Sequence, residues 1–439
     1  MIEVKLTDEE KRILQGERGK VARVCMEYLL EACRIAGAER LVDLDGTGDF
    51  HSPGLGLSGY YSITLEELEE AAAAGEKFAI PSYANKAPAP EFTALPALEG
   101  ILFETAGSEL TLTGYNLKTG IRTKVEADIL TEGRLVLNAR LLGEIVRKMP
   151  EGIVCFEADA SLLVKLICGM SYFEIMGIPA DEFPELPSVD AQNSFRIQEK
   201  KLQSMIGETL FAVSTNESRP VHTGSLFEIA DGELTVTSVD GYRLAQRREK
   251  LDEETEIATS FVAPGAALSE AEKVASDSED LATISLGSRH IMFSIGDTEI
   301  ISRRLEGEFL DYRKSVPKEC KFSLLADRKA LLTVFERVSL MISEKYKSPV
   351  RCLFEDGLMK LSTATALGKA TDECPVKGDA QGLEIGFNNR YVLDALRAAP
   401  TDELLLQLSS PTSPCVILPA SGDGSFLYLI LPVRIRASE

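Results

Sequence analysis

A short strand–turn–strand signature occurs three times, and any fold proposed for this chain has to accommodate it. Leu102-Phe103-Glu104, Leu226-Phe227-Glu228 and Leu353-Phe354-Glu355 stand 124 and 127 residues apart (226 − 102, 353 − 226). Each is followed by an acidic or glycine-bearing turn and a second alternating run: SELTLTGY, GELTVTSV and GLMKLSTA. The fullest copy, residues 226–245, sets period-two apolar residues on both sides of Asp231-Gly232 and closes on a tight corner at Asp240-Gly241. That is a strong hairpin pattern. A period this long denotes tandem domains rather than a solenoid.

The unit extends beyond the hairpin. About 35 to 38 residues after each LFE comes an amphipathic helix, at residues 138–147, 264–273 and 389–397. Asn138 and Asn388 suit N-caps, because their side chains can accept from an orphan amide of the first turn. A longer helix is expected before the second and third copies, at 197–213 and 327–343. The first copy has no such helix. The stretch before it holds Pro81, Pro88 and Pro90, and proline removes a donor and clashes with the preceding turn.

With 69 acidic and 47 basic residues the net charge is −22, which opposes a plain nucleic-acid groove binder. Binding depends on where cations cluster, however, not on their sum. They concentrate on the repeated helices: Arg140, Arg147 and Lys148 in unit one, Lys200 and Lys201 in unit two. Arg328, Lys329, Arg337, Lys345 and Lys347 lie on or just after the long unit-three helix, and Arg390 and Arg397 on the last. Singly these read as solvated helix faces; on equivalent helices of a repeat they can form one basic surface.

No apolar run reaches the roughly 18 residues of a membrane span, and the acidic, polar start is not a secretory signal. Eight cysteines without a CxxC read as reduced thiols of a cytoplasmic protein, several of them small core residues. Three scattered histidines make a metal site unexpected, and no cofactor is implied.

Residues 1–90 fall outside the repeat. Thr7 and Glu10 form a capping box opening two helices split near residues 16–19 within 5–37. A short strand at 37–46, a glycine-rich loop at 45–59, an acidic helix at 64–74 and a strand at 77–80 follow. The loop glycines make no dinucleotide fingerprint, and His51 beside Asp49 reads as a polar loop or, less simply, a ligand or base. Leu6-Thr7-Asp8-Glu9-Glu10, Ile13-Leu14-Gln15-Gly16-Glu17 and residues 37–42 resemble the start of an aconitase-X type dehydratase. The later metal-binding cysteines of such an enzyme have no counterpart, so no dehydratase activity is implied.

From Phe92 onward a different likeness takes over. Residues 95–104 (LPALEGILFE), 240–245 (DGYRLA), 183–187 (FPELP), 307–312 (GEFLDY) and 431–435 (LPVRI) resemble the bacterial sliding clamp, the beta subunit of DNA polymerase III. The resemblance implies an α+β fold of three tandem clamp-type domains, each with two helices on antiparallel sheets, the first lacking its opening helix. The boundaries are 1–90 for the opening segment, then 91–189, 190–318 and 319–439. It implies a non-enzymatic homodimer ring, head to tail around duplex DNA without sequence preference, tethering the polymerase alpha subunit, the clamp loader and other clamp-motif proteins. The DNA-facing cations would be Arg140, Arg147, Lys148, Lys200, Lys201, Arg337, Lys345, Arg390 and Arg397. Leu340 and Met341 would lie at the dimer seam.

The resemblance further implies a partner-peptide pocket. Val239, Gly241, Tyr242, Arg243 and Leu244 would line it from the unit-two corner, with Leu310 and Lys314 after unit two. Tyr346, Asn388 and Tyr391 would come from unit three, and Thr412, Pro414, Leu429, Leu431, Pro432 and Val433 from the C-terminal strands. Leu429, Leu431 and Val433 read equally well as strand-core residues. Tyr242 and Leu310 stand where many family members have His and Pro. The alternative is a non-ring, peptide-binding clamp fragment fused to an inactive dehydratase segment.

Overall fold

The Asp-Gly pairs turn the chain as their spacing predicts. In the computed structural model, Gly224–Ala230 pairs antiparallel with Glu233–Val239 through Asp231 and Gly232, at φ 53° and 72°. Asp356 and Gly357 repeat that turn at φ 55° and 73° between Val350–Glu355 and Leu358–Thr365. Both central residues are left-handed, the geometry that suits the right-handed twist of the flanking strands. The structure describes residues 96–189, 193–253, 257–342 and 348–435, together with the backbone of four earlier strands.

The chain divides into two units, residues 1–93 and 94–439. In the first, Lys20–Cys25 pairs antiparallel with Lys77–Ser82, and Arg40–Val42 with Ser62–Thr64. The strands near 40 and 77 match expectation. Lys20–Cys25 does not: it falls where a second helix was expected, and its β-branched Val21 and Val24 favour the pleat of a strand. The capping box at Thr7, the loop at 45–59 with His51, and the body of the 64–74 helix lie outside the described residues.

The second unit holds the three copies. Five helices are described: α1 (Ala139–Lys148), α2 (Glu199–Gly207), α3 (Gly265–Val274), α4 (Arg328–Ser339) and α5 (Asn389–Ala398). Asn138 caps α1 by accepting from the Leu141 amide at 2.9 Å, and Asn388 caps α5 by accepting from that of Arg390 at 3.1 Å. In domains 2 and 3 the helices pack as pairs, α2 with α3 and α4 with α5. The long helices come out shorter than expected. Residues 193–198 form a strand whose inward residues Phe195 and Ile197 enter the core, so α2 begins only at Glu199. It ends where Thr209 Oγ1 donates back to the Met205 carbonyl at 2.7 Å, before a 3-10 turn at Leu210–Ala212. Likewise α4 starts after Asp327, which accepts from the Ala330 amide, and stops at Ser339.

Antiparallel sheets run straight through the domain boundaries. Thr119–Glu126 of domain 1 pairs with Thr298–Arg303 of domain 2, and Arg243–Lys250 of domain 2 with Phe426–Ile430 of domain 3. One nine-stranded and one twelve-stranded sheet result. Separate apolar cores fill each domain, with Phe227 and Phe293 central to the second and Phe426 and Tyr428 to the third.

Domain 1 is the exception. Its second sheet has three strands, Ser171–Met176, Leu163–Cys168 and Cys155–Ala158. The matching layer of domain 2 has a fourth, Asn193–Gln198, leading into α2. Among the described residues α1 has no helix partner.

Candidate peptide pocket and domain seams

The corner after the second hairpin positions the site. Asp240 Oδ1 accepts from the amides of Tyr242 and Arg243 at 2.9 and 3.0 Å, and Gly241 adopts φ 90°, which a side chain would resist. The chain then enters Arg243–Lys250, whose first residues pair with the last strand of domain 3: Arg243 opposite Ile430, Leu244 opposite Leu429. The Leu431 amide donates to the Tyr242 carbonyl at 2.9 Å, extending the ladder.

Arg243 lies under this corner, with 8% of its side chain exposed. Its Nε donates to Asp240 Oδ2 at 2.8 Å and its Nη1 to Asp394 Oδ2 on α5 at 2.6 Å. The guanidinium sits 4.5 Å from the Tyr391 ring centre and 5.4 Å from that of Phe211. Tyr391 stacks on Tyr242, with centroids 6.1 Å apart. Burial, then the nearby Asp240 carboxylate, raises the Tyr391 phenol above its usual range, against the pull of Arg243. The two stacked rings offer flat apolar faces with polar edges.

Val239, Leu244 and Leu429 form a buried apolar floor with Tyr312 and Val416. Tyr242, Leu310, Leu431 and Val433 stay well exposed above it. Leu429 is thus strand core, whereas Leu431 and Val433 lie past the end of Phe426–Ile430 and face outward, the Val433 amide held by the Gly386 carbonyl at 2.8 Å. Pro414 precedes Cys415, which pairs with Ile430. Pro432 is half-buried between Leu431 and Val433, while Thr412 lies in an exposed loop, its hydroxyl 3.3 Å from that of Ser410. Lys314 is exposed and salt-bridged to Asp311 at 2.9 Å, so it is a rim residue rather than a lining one. Asn388 serves as the α5 cap, and Tyr346 lies outside the described residues.

Leu310 opens onto a groove of about 500 Å³ shared with Leu226, Phe261, Phe309 and Tyr312. The sequence reading missed Leu226, Phe309, Tyr312, Val416 and Asp394. Leu226 opens the repeated LFE triplet and could have been found there; Asp394 pairs with Arg243 across 151 residues without a local signal.

The helix cations are mostly engaged. Lys200 meets Glu279 at 2.7 Å, Lys201 meets Asp252 at 2.5 Å, and Arg397 meets Glu336 at 2.8 Å. Arg140 lies 3.4 Å from Glu144, Arg390 3.8 Å from Asp394, and Arg337 pairs with Asp372. Arg147 and Lys148 close α1 without an ionic partner among the described residues. Lys345 lies outside them. The 3-10 turn at Leu210–Ala212 touches α2, α3 and α5, which ties the helices of domains 2 and 3 into one row.

Leu340 follows α4 and is 76% exposed, with Met341 half-buried beside it. Their counterparts are instructive. The buried residues Leu202, Met205, Ile206 and Thr209 match Leu331, Val334, Phe335 and Val338 at constant spacing, so Leu340 stands where Phe211 does. Phe211 packs edge-on against Tyr428, 5.3 Å away across the seam between domains 2 and 3. Leu340 occupies the same position with no third seam to fill.

Family models match the whole three-domain region: the DNA polymerase III beta subunit N-terminal domain at residues 87–187, the central domain at 196–311 and the C-terminal domain at 313–434. The beta sliding clamp of Halalkalibacterium halodurans is 34% identical over 357 residues, covering 78% of this chain and 93% of that one. The solved Bacillus subtilis DNA polymerase sliding clamp superposes with a TM-score of 0.73 at 28% identity, covering 79% of this chain and 94% of that one. A DnaN sliding clamp from Bartonella birtlesii, solved bound to griselimycin, gives a TM-score of 0.73 at 27% identity, covering 79% and 94%. This chain therefore belongs to the DNA polymerase III beta subunit, or beta sliding clamp, family.

Proposed function

We propose that the chain is a non-catalytic processivity clamp that closes with a second copy around duplex DNA and tethers the polymerase through its peptide pocket. One observation carries this reading: both internal seams share one design, and its two halves recur at the ends of the three-domain run, Ser171–Met176 with one side free among the described residues and Gly368–Lys377 joined on its second side only through Val376 and Lys377. At each seam the strand after a hairpin meets the last strand of the next domain, Thr119–Glu126 on Thr298–Arg303 and Arg243–Lys250 on Phe426–Ile430. The remaining equivalents are Gly368–Lys377 in domain 3 and Ser171–Met176 in domain 1. Tyr172, Phe173 and Met176 on one, and Leu340 and Leu367 beside the other, are exposed large apolar side chains. Two copies joined head to tail at these edges satisfy both.

On this reading DNA is held by topology. Lys and Arg contact phosphates without reading bases, so binding is weak and salt-sensitive, and the acidic exterior repels DNA from the outside. The pocket at Tyr242, Arg243, Tyr391 and Leu431 takes an extended peptide with apolar anchors; the Bartonella birtlesii relative solved bound to griselimycin is in keeping with ligand binding by a clamp of this fold. The full test is retention: the protein, loaded by a bacterial clamp loader, stays on a closed plasmid and is lost after linearisation. Equal loss from closed and linear DNA refutes the ring. For residues 1–90 the proposal follows their resemblance, an inactive dehydratase-like start; bound iron or visible absorbance in the purified protein would overturn it.

A further inference from the structure

Among the described residues, domain 1 presents a place without an occupant, and the strand and helix that fill it are displayed twice elsewhere in the chain. In domain 2 the strand Leu281–Leu286 is flanked on both sides, by His290–Ile295 and by Asn193–Gln198. Ile284 sits between Phe293 and Phe195 and is fully buried. The domain 1 counterpart, Cys155–Ala158, pairs among the described residues on one side only, with Leu163–Cys168, and all four of its residues are exposed. Phe156, across from Leu166, is 40% exposed. The helix layer tells the same story. Counting from the caps at Asn138, Pro264 and Asn388, Leu141 matches Ala267 and Val146 matches Leu396. Leu141 and Val146 are 45% and 44% exposed, whereas Ala267 and Leu396 are 0% and 1%.

We propose that this face of domain 1 is a docking site for a separate polypeptide segment consisting of a strand followed by an amphipathic helix with a carboxylate in its first turn. The strand adds antiparallel to Cys155–Ala158, supplying ladder hydrogen bonds to an open edge. The helix lays apolar residues at i, i+3, i+4 and i+7 across Leu141 and Val146. Charge fixes its direction. In domain 2 the start of α2 lies at the end of α3, where Glu199 Oε2 accepts from the Ser276 amide at 3.0 Å and hydroxyl at 2.6 Å. The end of α1 offers Arg147 and Lys148, unpaired among the described residues. An acidic first turn there meets two cations and leaves its own helix dipole satisfied.

The test uses the full chain and two synthetic peptides, one with the sequence of Asn193–Gly207, which carries Glu199 in its first helical turn, and one with that of Phe322–Ser339, which carries Arg328 and Lys329 there, each beside a scrambled control. Fluorescence anisotropy is expected to give saturable binding of the first and weaker binding of the second, and hydrogen exchange to show new protection in 155–158 and along α1. Phe156→Glu and Leu141→Glu, both at exposed positions, should each weaken binding about tenfold or more while circular dichroism shows unchanged folding. The proposal fails if neither peptide binds better than its scramble, or if protection falls elsewhere. It fails equally if the 155–158 amides are already protected in the chain alone, or if a concentration-dependent dimer covers Phe156 instead.

Discussion

Replacing Arg243 tests the architecture at its most connected point. Its side chain is 8% exposed, and its carboxylate partners Asp240 and Asp394 are 13% and 23% exposed. Arg243→Ala leaves both acids facing a space that held their shared cation and removes the guanidinium from the Tyr391 ring, 4.5 Å away. Breaking a buried pair from one side costs about 3–5 kcal/mol, and the residual exposure of Asp394 lowers that toward about 2–3 kcal/mol. The lost cation–π contact adds about 0.5–1 kcal/mol. The expected destabilisation is therefore about 3 kcal/mol, read by urea unfolding with far-UV circular dichroism because the chain has no tryptophan. Arg243→Lys retains the charge but loses the fork that reaches both acids, and should cost roughly half as much. Arg390→Ala is the control: its Nε lies 3.8 Å from the same Asp394 oxygen, but the side chain is 81% exposed, so about 0.5 kcal/mol or less is expected. A cycle with Asp394→Ala should show coupling of about 1–3 kcal/mol. If Arg243→Ala falls within about 0.5 kcal/mol of the parent, or adds independently to Asp394→Ala, Arg243 does not hold domains 2 and 3 together and the reasoning is wrong.

Three further outcomes are expected. Asn138→Ala removes the acceptor for the Leu141 amide and should cost about 1 kcal/mol, seen as earlier loss of helical signal on heating, whereas Asn138→Ser should restore most of it. Gly224→Ala would put a Cβ 2.2 Å from the Ala263 carbonyl oxygen in the paired strand; the backbone must shift, and the unfolding midpoint should fall well below that of the parent. Burial pushes the Cys415 thiol up to about 12 and that of Cys374 to about 11, while Cys155 is exposed. Thiolate is the reacting form, so at pH 8 iodoacetamide should label Cys155 within minutes. Cys374 and Cys415 should be labelled only after denaturant is added, as site-resolved mass spectrometry would reveal.

What the sequence disclosed and what it hid follow from the range of the interactions. The hairpins were readable because a left-handed turn needs local residues, Asp231-Gly232 and Asp356-Gly357, and both pairs take it. The caps at Asn138 and Asn388 were readable for the same reason, one side chain reaching an amide two or three residues on. The starts of α2 and α4 were not. Period-two and period-3.6 patterns overlap in 193–202, where Ile197 is buried as a strand residue and Leu202 as a helix residue. Lys20–Cys25 differs from its expected helix because its charges stand three apart, a spacing that suits a helix, whereas the segment pairs as a strand with Lys77–Ser82. In the pocket, the corner residues were legible through the resemblance carried by residues 240–245, but the Arg243–Asp394 pair depends on two domains meeting. No window of sequence contains both.

The charge pattern completes the physical picture. A chain of net charge −22 that is to hold a polyanion needs cations placed locally, yet freely exposed lysines and arginines would bind DNA too firmly to slide. Pairing resolves the conflict. Lys200, Arg337 and Arg397 each carry an acidic partner, so if they meet DNA as proposed, a phosphate would gain only the difference between itself and the carboxylate it displaces. That difference is small and shrinks with salt. Arg147 and Lys148, at the end of α1 without partners among the described residues, are then the cations whose reversal to Glu should weaken DNA retention most. Lys200→Glu should do less, since it sets Glu beside Glu279 and removes a cation already committed. If the two reversals weaken retention equally, the acidic partners do not temper the grip, and pairing has no part in how the clamp slides.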